Sequence, residues 1–233
     1  ESFEVWYDTG QGTQPFAVLD GMNGLYGIAA PFAYAVTAYG NTWLALSNGP
    51  RVVMSGGGRP TTLSTYGINT ELSRFRRTST IENAEAIVTG ENGHTWVTFS
   101  FPSVTGSDID TPSLTVDLEG QSWTHRGEWN TGTGQYNTWG PSAASECFGK
   151  TLVGDRTTGT IWQLDPTVST DRSGNGIRRL RQAPGLTDEH RRHPLDQLEF
   201  YMDVGVGTQS GQGADPQVIL QMSQDGGITF GNQ

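Results

Sequence analysis

The sequence predicts an all-β protein, built as a propeller-like array of antiparallel hairpins and small sheets with one or two short helices. Glycine (32) and proline (11) are abundant among the 233 residues, which is typical of short strands joined by turns. The 29 threonines and the 10% aromatic content supply residues that fit pleated strands. Charged residues make up only 16%, with a single lysine, and this disfavours a Glu- and Lys-rich helical bundle.

A glycine turn followed three residues later by an aromatic residue recurs along the chain. The five copies are Gly40–Trp43, Gly93–Trp96, Gly120–Trp123, Gly159–Trp162 and Gly227–Phe230. Successive aromatic residues are 53, 27, 39 and 68 positions apart, and these intervals bracket the roughly 40 to 50 residues of a propeller blade. We expect each copy to form a hairpin in which glycine supplies a positive φ and the aromatic ring packs across the strand pair.

Apolar residues also occupy alternate positions in several segments, as expected of half-buried strands. The clearest cases are residues 97–101, 114–118 and 198–206, and a shorter one, 218–222, precedes the last turn. The alternation predicts hairpins near residues 95–118, 114–130, 149–165 and 196–230.

Helix signals are few. Residues 69–76 are expected to form two helical turns, with Asn69 or Thr70 as the N-cap, and residues 187–192 one turn that begins at Thr187. Two polar stretches, 103–112 and 131–145, are expected to be long loops.

The composition shifts near Thr167, where an arginine-rich stretch begins. We therefore divide the chain into a propeller-like β domain, 1–166, and an arginine-rich connection with a C-terminal hairpin region, 167–233. The second part is either a subdomain or the closing part of the same β domain. Because the chain opens at Glu1 rather than at methionine, we expect it to be a segment of a longer protein.

Charge and cysteine content limit the possible functions. The net charge of −10 repels phosphate, which disfavours sequence-independent binding of nucleic acid by the chain as a whole. Cys147 is the only cysteine, which excludes an intrachain disulfide and a cysteine zinc cluster. The sequence contains no apolar run of about 18 residues, so no membrane association is expected.

No set of residues with catalytic spacing is found. Asp108 and Asp110 are interpreted as turn residues, and the four histidines lack the i, i+4 spacing of a zinc protease. His190 and His193 flank two arginines, whose positive charge opposes metal binding. The sequence therefore predicts no enzyme, no metal and no cofactor.

One turn carries a specific pattern, the Asp-box. Its members are Ser223, Asp225, Gly227, Thr229 and Phe230. We interpret it as a structural hairpin turn, because a carboxylate at this position accepts backbone N–H groups while the aromatic ring lies beneath it.

Six arginines are concentrated between residues 172 and 192. We take five of them as candidate subunit or partner contacts: Arg178, Arg179, Arg181, Arg191 and Arg192. A contact surface and a solvated edge that prevents strand aggregation are both consistent with this composition. The scarcity of lysine favours the contact surface slightly, since arginine is enriched in interfaces and lysine is depleted.

Several segments, taken together and in order, carry a family resemblance. They are TYGIN at 65–69, ENGHTW at 91–96, VDLEGQSWTHR at 116–126, GKTLVGD at 149–155, GIRRLR at 176–181, GVG at 205–207, GADP at 213–216, and the Asp-box turn. From about residue 15 onward the chain resembles the packaged-DNA stabilisation proteins of short-tailed bacteriophages, also described as tail accessory or tail hub proteins. Phe230 stands where the family pattern has tryptophan.

The resemblance implies a structural virion protein without enzymatic activity or cofactor. It implies a homo-oligomeric ring, hexameric in the family, that lies below the portal and retains packaged DNA without sequence-specific readout. It further implies contacts with a portal or adaptor protein and with tail needle, spike or fibre proteins, and no membrane. Such a protein is made in the bacterial host cytoplasm and resides in the phage tail. If the channel of such a ring is lined by acidic residues, their charge repels the phosphates, and DNA can slide through it during ejection.

Two alternatives remain open at the level of sequence. The Asp-box and the aromatic residues Trp129, Tyr136 and Trp139 also fit a carbohydrate-binding or sialidase-like propeller, since exposed rings stack on sugars. A sialidase needs an arginine triad on separate blades, which the adjacent Arg178, Arg179 and Arg181 do not provide. The second alternative is a propeller scaffold without a ligand.

Overall fold

The computed structural model describes residues 3–21, 24, 27–37, 42–107, 111–183, 197, 199, 218–225 and 229–231. The chain divides into two compact units, Glu1–Asp165 and Pro166–Gln233. The boundary falls next to the composition shift at Thr167. All regular strands and the helix of the described residues lie in the first unit.

The described residues form fifteen strands and one helix. The strands are β1 (Trp6–Asp8), β2 (Phe16–Val18), β3 (Tyr34–Val36), β4 (Trp43–Ser47), β5 (Arg51–Ser55), β6 (Thr61–Thr62), β7 (Glu85–Glu91), β8 (His94–Ser100), β9 (Ser113–Asp117), β10 (Ser122–His125), β11 (Gly127–Asn130), β12 (Gln135–Thr138), β13 (Pro141–Cys147), β14 (Lys150–Asp155) and β15 (Ile161–Leu164). The helix, α1, spans Tyr66–Thr78.

The strands form five antiparallel sheets in which each strand pairs with its neighbours in the sequence. The sheets are β1–β2, β3–β6, β7–β10, β11–β12 and β13–β15. They are separate sheets rather than one closed barrel, and the prediction of an all-β protein with small antiparallel sheets is confirmed. The two four-stranded meanders have the strand order found in a propeller blade.

The β7–β10 sheet has one apolar and one polar face because its side chains alternate. Val97 pairs with Val116 and Phe99 with Leu114, so four buried apolar side chains share one face. On the other face, the Thr98 and Thr115 hydroxyls lie 2.9 Å apart and are also buried. The two buried hydroxyls thus satisfy each other by a hydrogen bond within the sheet.

The apolar face of this sheet packs in one hydrophobic cluster with α1 and the β3–β6 sheet. The Phe75 ring of the helix and the ring of Phe101, the residue that follows β8, have centroids 5.1 Å apart. Leu44, Leu46 and Val52 contribute from the β3–β6 sheet and are fully buried. This cluster is the core of the first unit.

The helix begins earlier than the sequence predicted. Its N-cap is Thr65, whose hydroxyl accepts a hydrogen bond from the Ile68 amide, so Asn69 and Thr70 were the wrong caps. Ile68, Leu72 and Phe75 form the buried face, and a helix that began at Asn69 would omit Ile68 from it. α1 falls short of the length and apolar character that a membrane span requires, and the described ranges hold no second helix. The helix predicted at 187–192 lies outside the described residues.

Two predicted hairpins are confirmed, at 95–118 (β8 with β9) and at 149–165 (β14 with β15). The hairpin predicted at 114–130 ends at His125, because β11 pairs with β12 instead. The loop prediction for 131–145 was wrong: it contains β12 and the start of β13. These strands carry Gln, Asn, Ser and Pro, so their sequence lacks the apolar alternation on which the prediction depended.

The predicted hairpin at 196–230 is not seen in the part of that range that the structure describes. Residues 218–222 have no strand assignment, and most of 198–217 lies outside the described residues. The loop at 103–112 is described except for residues 108–110. Asp108 and Asp110, which were interpreted as turn residues, therefore lie outside the described residues.

Candidate interaction surface

A polar cluster lies where β8, β9 and the turn after β9 meet. The His94 Nδ1 and Asp117 Oδ2 atoms are 2.8 Å apart. Glu119 accepts two hydrogen bonds from Thr95, one from the amide at 2.6 Å and one from the hydroxyl at 2.8 Å. The Glu119 amide donates to Asp117 Oδ1. The two carboxylates therefore fasten the β9–β10 turn to the start of β8.

Hydrogen bonding also sets the acidity of these carboxyls. Burial raises the pKa of Asp117, but hydrogen bonds from the Gly120 amide, from His94 and from the Glu119 amide outweigh it and hold the pKa below its ordinary value. The hydrogen bonds from Thr95 likewise lower the pKa of Glu119. Both side chains thus act as ionised acceptors near neutral pH.

One ligand atom each from His94, Asp117 and Glu119 lies within 4.8 Å of the others, a spacing that a cation could bridge. The carboxylates already accept hydrogen bonds, Asp117 from the turn amides and Glu119 from Thr95 of β8, and these bonds explain where the side chains lie. Sequence analysis had not selected Asp117 or Glu119. The sequence feature that could have identified Asp117 is its position at the end of a predicted strand, three residues before the turn glycine Gly120.

Gly120 does not supply the positive φ that the sequence predicted for the glycine of this turn. The positive φ falls on Gln121 (49°), not on the glycine. A Cβ on Gly120 would lie 2.4 Å from Asp117 Oδ2, so glycine is required here by the close approach of the carboxylate. At Gly93 and Gly159 the expected positive φ is present.

Arg126 lies between two tryptophans of the first unit. Its guanidinium carbon is 5.3 Å from the Trp96 ring centroid and 5.0 Å from that of Trp139. Burial lowers the pKa of Arg126, and the charge of Glu91 opposes this shift. The stack joins β8 to the segment before β13 by cation–π contacts. Sequence analysis missed it, because the three residues are separated by up to 43 positions.

Ion pairs also join distant elements. Arg156 donates through Nε and Nη2 to one oxygen of Glu85, at 3.1 and 2.7 Å, and through Nη1 to the Trp139 carbonyl. His125 Nε2 lies 3.0 Å from Glu71 Oε1, which connects β10 to α1. Within the described ranges, Arg156 and His125 thus connect elements that are far apart in the sequence.

The Asp-box turn has the hydrogen bonds of a structural turn. Asp225 accepts from the Ser223 hydroxyl at 2.7 Å and from the Thr229 amide at 2.8 Å, and the Thr229 hydroxyl donates to its other oxygen. Gly227 lies outside the described residues. Phe230 is 42% exposed, so it is not covered in the way the pattern predicted.

A second turn of the described residues, at 171–175, has the same kind of hydrogen bond. Asp171 Oδ1 accepts from the Asn175 amide at 2.8 Å, four residues on, as Asp225 does from Thr229. Gly174 provides the positive φ of 81°. In the second unit, aspartate turns of this kind are therefore a repeated structural element.

The arginine candidates are exposed where the structure describes them. Arg178, Arg179 and Arg181 are exposed and lie in a segment without helix or strand; Arg191 and Arg192 lie outside the described residues. Two apolar neighbours, Ile177 and Leu180, are exposed in the same segment. We call residues 177–181 the arginine segment. Its combination of guanidinium groups and exposed aliphatic side chains is typical of a protein contact.

The aromatic residues proposed for sugar binding are engaged in packing. Trp129 and Tyr136 form a cross-strand edge-to-face pair with centroids 5.0 Å apart, and Tyr136 is buried. Trp139 stacks against Arg126. Because these rings are packed against other side chains, the structure supports their stacking on a sugar less than the sequence did.

No protein-family model and no curated protein matches this chain. The resemblance to phage tail proteins therefore rests on the sequence segments that carry it.

Proposed function

We propose that this chain is a structural component of a short-tailed phage tail. It assembles as a homo-oligomeric ring below the portal, retains packaged DNA and docks other tail components. The observation that carries the proposal is the exposed arginine segment in a chain of net charge −10. The engagement of the described polar clusters in turns and ion pairs supports an architectural role over a catalytic one.

Ring formation requires that one surface of a copy contact a different surface of its neighbour. Arg178 and Arg179 offer planar, multiply donating groups that suit carboxylates. Since the chain carries 24 acidic residues against 14 basic ones, a neighbouring copy presents acidic surface in excess. The same net negative charge opposes tight binding of DNA in the channel of the ring. Weak binding is what a protein needs if it retains DNA and later lets it be ejected.

Electron microscopy of the purified chain and of its particle tests the proposal directly, with a ring below the portal as the expected result. In sedimentation, the double substitution Arg178→Glu and Arg179→Glu is expected to weaken assembly at least tenfold, because attraction becomes repulsion. The matched control is Arg51→Glu with Arg59→Glu, an equal charge change at exposed arginines of the first unit.

Assembly of the arginine-segment variant equal to that of the control would contradict the role of this segment. A chain that stays monomeric at high concentration and is absent from virions would overturn the ring. Specific binding on a glycan array, without a ring, would favour the carbohydrate-binding alternative.

A further inference from the structure

Among the residues that the structure describes, the β13–β15 sheet ends in an edge strand that no further strand covers. β15 is the last strand in the order β13-β14-β15 and has β14 as its hydrogen-bonded neighbour. The other two multi-stranded sheets, β3–β6 and β7–β10, each have four strands. Within the described part of the chain, the β13–β15 sheet thus has one strand fewer than these two sheets.

The exposed side chains of β15 are apolar. Ile161 is 71% exposed and Trp162 is 40% exposed. Edge strands are usually protected by a charge, a proline or a bulge, and β15, with the sequence Ile-Trp-Gln-Leu, has none of these. Such an edge favours pairing with another strand.

The hydrogen-bond pattern shows which backbone groups this edge offers. The Asp155 amide donates to the Thr160 carbonyl at 2.9 Å, so residue 160 faces β14. In an antiparallel ladder the facing direction alternates, which places the amide and carbonyl groups of Ile161 and Gln163 on the open edge. These two residues are the acceptor positions for an added strand.

A matching donor exists in the second unit. Residues Val218–Met222 alternate as a strand does, and Val218, Ile219, Leu220 and Met222 are each at least half exposed. The segment has no strand assignment, and the Asp225 turn that follows it is fixed to it by the hydrogen bond from the Gly231 amide to the Met222 carbonyl. In an extended chain, Ile219 lies opposite Val218, Leu220 and Met222, so both sides carry apolar side chains and Gln221 is the one polar residue of the segment.

We infer that the donor segment, Val218–Met222, of one copy adds as a fourth strand to the β15 edge of a second copy. The inference rests on the proposed ring, since donor and acceptor are different surfaces and each copy has one of each. A head-to-tail contact of this kind repeats around a closed ring. Main-chain hydrogen bonds provide the affinity, and the exposed side chains of Ile161 and Ile219 gain apolar cover.

Two proline substitutions test the inference, one on each side of the contact. Gln163→Pro removes an outward N–H from the open edge without touching the ladder to β14, and Ile219→Pro does the same in the donor. Each is expected to weaken assembly about tenfold or more, as measured by native mass spectrometry over a dilution series. The matched controls, Gln163→Thr and Ile219→Thr, keep the N–H groups and are expected to assemble like the original chain.

Mixing the two proline variants separates a blocked contact from misfolding. Each is expected to be monomeric alone, whereas the mixture is expected to yield a one-to-one heterodimer. In that heterodimer the intact edge of the Ile219→Pro chain receives the intact donor of the Gln163→Pro chain. Slow hydrogen exchange at the Ile161 and Gln163 amides in the assembled protein is the second expected result.

A ring that forms normally with Gln163→Pro, or a mixture without heterodimer, would overturn strand addition and leave the proposed ring standing. An original chain that never assembles would instead remove the ring itself. Protected Ile161 and Gln163 amides in a monomer insensitive to dilution would show that the chain fills its own edge, and would also overturn the inference.

Discussion

The tips of two hairpins, β7–β8 and β13–β14, have the same backbone and different chemistry. Both are two-residue loops, with Asn92 and Gly93 at φ of 52° and 82°, and Phe148 and Gly149 at φ of 56° and 69°. Asparagine followed by glycine is the preferred pair for this turn, because both tolerate a positive φ. A phenylalanine in the first position has no such tolerance.

The two hairpin tips also differ in solvent exposure and in their contacts with the rest of the chain. Phe148 is 95% exposed at its tip, whereas the first tip is tied to the β9–β10 turn through His94 and Asp117. The β7–β8 tip is therefore optimised for local stability. The β13–β14 tip carries a residue that neither the turn nor water favours, and its stability comes from the strands on either side.

The largest effect is expected from removing the support of the β7–β8 tip. Asp117→Ala removes a buried carboxylate that accepts charge-assisted hydrogen bonds from His94 and from the amides of Glu119 and Gly120, and should lower the free energy of unfolding by about 2 to 3 kcal/mol. Urea unfolding measures this value. Asp8→Ala is the control: Asp8 accepts from the Gly10 amide in an exposed turn, so about 1 kcal/mol or less is expected. Equal losses at the two positions would refute the structural role assigned to Asp117.

A smaller effect is expected from exchanging the tip residues. Asn92→Phe should destabilise the chain by about 1 to 2 kcal/mol, since a bulky side chain at positive φ is strained. Phe148→Asn should stabilise it by about 1 kcal/mol for the converse reason. Thermal unfolding of both variants measures the two changes. Changes of the same sign would show that the side chains, and not the shared turn, control the stability of each tip.

The smallest effect concerns acid. The folded-state pKa values of Asp117 and Glu119 lie below their ordinary values, so their stabilisation is complete above the ordinary carboxyl pKa. It is lost as the pH falls through the lowered folded-state values, beginning below about pH 4. Urea midpoints between pH 2 and 6 should fall less steeply in Asp117→Asn than in the original chain. Identical profiles would mean that Asp117 does not contribute to acid sensitivity.

The sequence predicted the candidate surfaces unevenly. It identified the Asp-box turn, whose hydrogen bonds join Asp225 to residues within four positions, because such turns are local. It also identified Arg178 and Arg179 by composition. It did not identify the open edge of β15, since an unpaired edge exists only once the partners of a strand are known.

What the sequence determined by itself was the class of the fold and the strands with clear apolar alternation, β8 and β9 above all. Adjacent side chains point to opposite faces of a strand, so a pattern of period two needs no distant partner to be recognised. The tertiary structure alone decided which strands the polar segments 135–138 and 141–147 would form, and which charges would meet. Glu85 and Arg156 are 71 positions apart, and Trp96, Arg126 and Trp139 belong to different elements. Their contacts depend on register and packing between distant segments, and no local pattern specifies these.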